Sequence, residues 1–122
     1  MTDLEQVREK GYYIQFIKNP TEEVQLVAVK QTGYAIRYIE NPSIEVQLAA
    51  VKHNGYYIQF IKNPYIEAQL AVVKKHGVLI QYINNPPEEV QLEAIKENMK
   101  AKEYISIANL NRLNKKYPEY FI

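Results

Sequence analysis

The sequence predicts an all-α fold, a right-handed α-solenoid of about four and a half 22-residue helix-turn-helix repeats. Three observations predict it. Glycine stands at 11, 33, 55 and 77, a strict period of 22. An Asn-Pro pair keeps the same period at 19/20, 41/42, 63/64 and 85/86. Between these markers the apolar residues follow helical rather than alternating spacing. A fixed period in this range marks units that bury their apolar faces only by stacking on one another.

Aligned on glycine, the copies read GYYIQFIKNPTEEVQLVAVKQT, GYAIRYIENPSIEVQLAAVKHN, GYYIQFIKNPYIEAQLAVVKKH and GVLIQYINNPPEEVQLEAIKEN. Residues 11–20 and 55–64 are identical, which suggests duplication of a 44-residue double unit. Residues 1–122 form one repeat domain. Residues 2–10 are a polar N-terminal cap, because Leu4 and Val7 match Leu26 and Val29. Four repeats fill 11–98, and 99–122 hold a degenerate half-repeat and a C-terminal cap. Ile107, Leu110 and Leu113 suggest a last helix, followed by the tail 117–122.

Each copy should carry a longer helix, near 21–31, 43–53, 65–75 and 87–97. Asn19 reads as its N-cap and Pro20 as its first helical residue, where a missing N–H costs nothing. Glu22 and Glu23 suit the positive end of the dipole. Gly33, Gly55 and Gly77 read as left-handed residues with positive φ that end these helices. Val24, Leu26, Ala28 and Val29 cover more than half of the helix circumference, so neighbours must sandwich it. The shorter element, about Tyr34 to Glu40, reads as two turns of α-helix. Its Tyr, Ile and Phe favour strands, but Ile14, Phe16 and Ile17 do not alternate. Met99 replaces the fifth glycine, and a break at 98–99 is still expected, with Asn98 able to take the left-handed role.

Composition removes several classes. Lys plus Arg total 15 and Asp plus Glu 14, so a net charge of +1 gives no general pull toward nucleic acid or acidic membrane. There is no cysteine, hence no disulfide framework or zinc-thiolate site. His53 and His76 occupy different repeat positions without ligand spacing and read as surface histidines. Neither a phosphate loop nor a nucleophile elbow is present. The expectation is a non-enzymatic, cofactor-free and metal-free protein. Met1-Thr2-Asp3-Leu4-Glu5 is unlike a signal peptide and no apolar run reaches the ~18 residues of a membrane span; a cytoplasmic location is expected.

Three stripes recur once per repeat. Gln25, Gln47, Gln69 and Gln91 fall on the packed face; a buried amide there must be hydrogen-bonded, most simply to the next repeat. They read as a structural ladder, with ligand contact as the alternative. Lys30, Lys52, Lys74 and Lys96 could track a phosphate backbone, but Glu23, Glu45, Glu67 and Glu89 share their face. On the short helix Ile14 and Ile17 point inward. The outward arc reads Tyr12-Gln15-Lys18, Tyr34-Arg37-Glu40, Tyr56-Gln59-Lys62 and Val78-Gln81-Asn84. Tyr12, Gln15, Lys18, Tyr34, Arg37, Tyr56, Gln59, Lys62 and Gln81 are the candidate partner-binding residues. Tyr12, Tyr34 and Tyr56 line up around Arg37. They read either as exposed anchors for a protein or as rings packed on the neighbouring short helix.

The string Ala28-Val29-Lys30-x-x-Gly33, repeated as Ala50-Val51-Lys52-His53-Asn54-Gly55, resembles a family of tandem 22-residue helical repeats, a domain of unknown function found in bacteria, phages and giant viruses. The resemblance covers residues 20–99. Two departures are Val72-Val73-Lys74-Lys75-His76-Gly77 and Met99. It implies no catalytic residues, and it suggests an accessory protein of a mobile element. Together these readings favour a protein-binding α-solenoid, in one concrete version a steric inhibitor of a host factor of the anti-defence or anti-CRISPR kind. A nucleic-acid-binding repeat protein is the second class. A structural homo-oligomer built by end-to-end stacking is the third.

Overall fold

The computed structural model describes residues 1–121; Ile122, the last residue of the expected tail, lies outside them. Six α-helices run Asp3–Glu9 (α1), Glu22–Gln31 (α2), Ile44–His53 (α3), Ile66–Lys75 (α4), Glu88–Glu97 (α5) and Ile107–Lys116 (α6). Short 3-10 helices follow the first five, at Gly11–Phe16, Gly33–Tyr38, Gly55–Phe60, Gly77–Tyr82 and Met99–Tyr104, and Pro118–Tyr120 adds a final turn. No strand occurs among the described residues. From α1 to α5 each α-helix packs on the next, and the first five 3-10 helices do likewise. The chain is therefore a two-layered α-solenoid.

The short elements are 3-10 helices, not the expected α-helices. With three residues per turn, residues three apart stand in one row. The sequence fits that spacing: Gly11, Ile14 and Ile17 form one row and Tyr12 and Gln15 another, with Tyr13 and Phe16 in the third. The first row is the core row. Ile14, Ile36, Ile58 and Ile80 are all at most 2% exposed, each contributing roughly 1.5–3 kcal/mol through burial. They meet Val24, Ala28 and Val29 of the long helices and their equivalents in one continuous core.

The long helices begin one residue later than expected, and Asn-Pro is not their cap. Asn19, Asn41 and Asn85 have φ of 52°, 48° and 49°, a left-handed turn that asparagine tolerates better than most residues. Pro20 and its equivalents precede the cap. Thr21 and Ser43 are the N-caps, their side chains accepting the N–H of Val24 and Val46 at 3.2 and 3.3 Å. Tyr65 and Pro87 hold the same place without a side-chain cap bond.

The glycines also differ from expectation. None has positive φ. Each helix ends instead on an extended residue, and glycine then opens the 3-10 helix. Glycine is required by close approach. A Cβ on Gly11 would drive into the carbonyl of Ala28, and one on Gly77 into the carbonyl of Ala94, in the last turn of the long helix that follows in the same copy. At Gly33 it would lie 2.7 Å from Cβ of His53. Met99 keeps the break, since α5 stops at Glu97, but Asn98 is extended at φ −153° rather than left-handed. No regular repeat covers the fifth unit, so the Met99 side chain stays exposed.

The glutamine ladder holds the turns. Gln25, Gln47, Gln69 and Gln91 donate Nε2–H to the carbonyls of Pro20, Pro42, Pro64 and Pro86 at 3.0, 3.2, 3.0 and 2.9 Å. The main bond is thus within the repeat, not to the next one. Gln47 additionally accepts the N–H of Tyr65 at 2.8 Å, which ties two repeats together. One period later the equivalent of Tyr65 is Pro87, which has no N–H. Accordingly Oε1 of Gln69 is buried without a partner.

These contacts set two rankings, both readable by urea denaturation. Gly77→Ala must displace backbone and should cost about 1–3 kcal/mol. Gly55→Ala meets only a Leu79 methyl at 3.0 Å and Val72 at 3.3 Å, so its cost should be distinctly smaller, offset by lost unfolded-state entropy. Gln47→Leu strands the Pro42 carbonyl and the Tyr65 N–H and should cost roughly 1–3 kcal/mol. Gln69→Leu strands one carbonyl while removing an unpartnered oxygen, and should cost less.

Candidate functional site

The 3-10 layer gathers the exposed apolar side chains. Tyr12, Phe16, Tyr38, Tyr56, Met99 and Tyr104 all lie on it, and Tyr65 lies in an adjoining turn. On the α-helices only Ile66 and Ile107, each the first residue of its helix, are large, apolar and exposed. This asymmetry follows from the threefold rows. One row is buried, so the other two face outward, and both are rich in Tyr and Phe.

The expected tyrosine arc does not form one uniform row. Tyr12 is exposed. Tyr34 is half-buried in a cluster that crosses two repeats, edge-on to Tyr38, Tyr57 and Phe60 at 6.4, 6.0 and 5.4 Å between ring centres. Tyr56 packs against Tyr82, the rings tilted 49° with centroids 4.4 Å apart, and accepts its hydroxyl proton at 3.0 Å. The anchor and packing readings therefore divide among the three residues. The sequence reading missed Tyr38, Tyr57, Phe60 and Tyr82. Their signal was the third row of a three-residue spacing, which an α-helical wheel scatters.

The polar members of the arc separate as well. Gln15, Gln59 and Gln81 fold back, donating Nε2–H to the carbonyls of Tyr12, Tyr56 and Val78 at 3.2, 3.2 and 3.1 Å. Arg37 stands where the other three copies carry glutamine. Its Nη1 donates to the Tyr34 hydroxyl and its guanidinium lies 5.6 Å from the Phe60 ring centre. Lys18 is exposed. Arg37, Phe60 and Lys62 line a groove of 600 Å³ whose other walls include Glu40 and Tyr65 and whose floor includes Gln47. A second groove, of 460 Å³, lies two repeats further on. It has Gln91 on its floor and Tyr104 in place of Phe60.

Lys30, Lys52, Lys74 and Lys96 are exposed on the α-helical layer, as are Glu23, Glu45, Glu67 and Glu89. The ion pairs among the described residues are Lys96 with Glu93 at 3.4 Å and Lys116 with Glu88 at 3.1 Å. Each carboxylate raises the pKa of its lysine, chiefly through the hydrogen bond. His53 donates Nε2–H to the Lys30 carbonyl at 2.9 Å and so clasps the preceding helix end. No group of three or more His, Cys, Asp or Glu is placed to hold a metal among the described residues. None of their helices is long and apolar enough to cross a membrane.

Comparison with protein-family models, curated proteins and solved structures gives no match.

The Tyr56–Tyr82 pair carries a pH signature. Tyr82 is raised above the ordinary tyrosine value of 10.0, first by its hydrogen bond to Tyr56, then by burial and by the neighbouring Tyr56 and Tyr104. A raised folded pKa favours the protonated form. The pair's contribution to stability is therefore complete below pH 10.0 and is lost as pH rises through the folded value of Tyr82. Ultraviolet titration should find one tyrosine ionising later than free tyrosine. Tyr82→Phe should abolish that late step and flatten the alkaline fall in melting temperature.

Proposed function

We propose that this chain is a non-enzymatic protein-binding α-solenoid that holds its partner on the aromatic 3-10 face. One observation carries the reading: exposed Tyr and Phe concentrate on that layer, which also borders the groove where Arg37 and Lys62 stand beside Phe60. Rigid aromatics with an arginine among them are the residues that dominate protein interfaces. The α-helical layer presents interleaved Lys and Glu instead, a weak basis for following a phosphate backbone. End-to-end assembly is also less favoured. At the inner isoleucine position the last repeat carries Lys102, whose ammonium lies 4.2 Å from the Phe121 ring centre, so the C-terminal end is not a repeat face. The narrower version, a steric inhibitor of a host protein encoded by a mobile element, rests on the resemblance of the repeat string.

The test uses a photo-crosslinking residue at Tyr38 or at Lys74 in the tagged chain expressed in its native host. A single protein should crosslink from Tyr38 and not from Lys74. With that protein purified, Tyr38→Ala combined with Tyr65→Ala should weaken binding by about 30-fold or more, the scale of a hot spot, with little change in helical circular dichroism. Lys52→Ala with Lys74→Ala should bind normally. Failure of the lysine variant alone, with affinity for RNA or DNA falling steeply as salt rises, would give the function to a nucleic-acid reader.

A further inference from the structure

Inside the stack the protein shows what its ladder glutamine can hold. Tyr65, extended at φ −62° and ψ 151°, donates its peptide N–H to Oε1 of Gln47 at 2.8 Å. The segment that delivers this N–H is the Asn63-Pro64-Tyr65 connection between a 3-10 helix and α4. At the C-terminal junction that connection is shortened. Between Tyr82 and Glu88 lie residues 83–87, whereas only Ile105 and Ser106 lie between Tyr104 and Ile107. No Asn-Pro turn comes over Gln91.

Gln91 keeps the rest of the arrangement. Its Nε2–H donates to the Pro86 carbonyl at 2.9 Å, and the residue is 6% exposed on the floor of the 460 Å³ groove. Among the described residues no group donates to its Oε1. A second acceptor beside it also lacks a donor. Glu88 lines this groove, and while its Oε2 takes the Lys116 ammonium at 3.1 Å, its Oε1 is buried without a donor. Across the groove stands Arg112, which donates Nη1–H to Asn109 Oδ1 at 3.0 Å. A guanidinium has five N–H donors, so others remain for an acceptor.

An open acceptor on the groove floor with a donor among the same lining residues describes a ligand that alternates N–H and C=O. An isolated cation would meet Arg112 and Lys116 with only Glu88 to balance them. An extended main chain supplies both kinds of group without net charge, and Tyr65 on Gln47 is a worked instance in this molecule. We propose that the C-terminal groove binds an extended peptide segment of a partner protein, with one backbone N–H on Gln91 Oε1 and a carbonyl on Arg112. The site is separate from the aromatic cluster around Arg37, and each stands if the other fails.

The probe is the acetylated, amidated peptide Ile-Lys-Asn-Pro-Tyr-Ile-Glu, the sequence of residues 61–67. Titrated into the isotope-labelled full chain, it should shift the Gln91 side-chain amide, the Arg112 guanidinium and the Ser106 and Asn109 backbone amides saturably. Methylating the tyrosine nitrogen of the peptide removes only the donor and should weaken binding at least tenfold. Gln91→Met should lose the shifts, and because the methylated peptide leaves the protein untouched, the result does not depend on how well that variant folds. Absence of shifts at millimolar peptide, equal binding of the methylated peptide, or shifts confined to the Arg37 groove would each overturn the proposal.

Discussion

The stack depends on a bare Cα. At Gly11 and Gly77 the first residue of the 3-10 helix lies so close to a carbonyl in the last turn of the following α-helix that no side chain fits between them. That approach is further secured by side chains from the ends of the same α-helices. Oε1 of Gln31 accepts the Gly11 N–H and Oε1 of Glu97 accepts the Gly77 N–H, both at 2.6 Å. Close contact brings the 3-10 layer under the α-helical layer and lets one isoleucine per repeat reach the shared core. The constraint relaxes where the stack ends. Met99 stands free there, and Lys102 replaces the isoleucine.

A second dependence links Asn-Pro to glutamine. The left-handed asparagine turns the chain and leaves a proline carbonyl beside the packed face, where it needs a donor. Glutamine on the first turn of the following helix reaches it. The Asn-Pro pair and the glutamine occur together in all four copies, although the asparagine is left-handed only at Asn19, Asn41 and Asn85. The shortened junction before α6 has no Asn-Pro pair and no bond of this kind. The glutamines are thus part of the turn rather than a row of bonds between repeats, and Gln47 is the one that also grips its neighbour.

The period, the long helices, the break at 98–99 and the last helix were legible because each rests on local chemistry that recurs. Positions 21 and 43 show where local rules competed. Asn19 and Thr21 are both good caps, and Pro20 fits a first helical turn, so the start was read too early. The glycines were misread for a different reason. A left-handed cap is the usual reason for glycine at a helix end, whereas at Gly11 and Gly77 the reason is a carbonyl from the following α-helix, far beyond any local window. The 3-10 assignment was within reach, since Gly-x-x-Ile-x-x-Ile recurs with Gln or Arg, not an apolar residue, four after the glycine. Choosing the α-helical wheel kept Tyr12 and Gln15 together but scattered Tyr57, Phe60 and Tyr82, and with them much of the aromatic face.

Repetition gives a binding surface rigidity but not register, because identical units offer a partner several equivalent positions. Register must come from the places where the copies differ. In three copies a glutamine folds back on its own 3-10 backbone, which leaves rings as the main exposed feature. The second copy has Arg37 instead, held by the Tyr34 hydroxyl and the Phe60 ring at the rim of the central groove. An arginine anchored in this way has already lost much of its rotamer freedom, so less entropy is lost when it meets an acceptor. On the proposed protein-binding reading, the aromatic rows would supply contact area along the solenoid and the departure at residue 37 would fix where along it a partner sits.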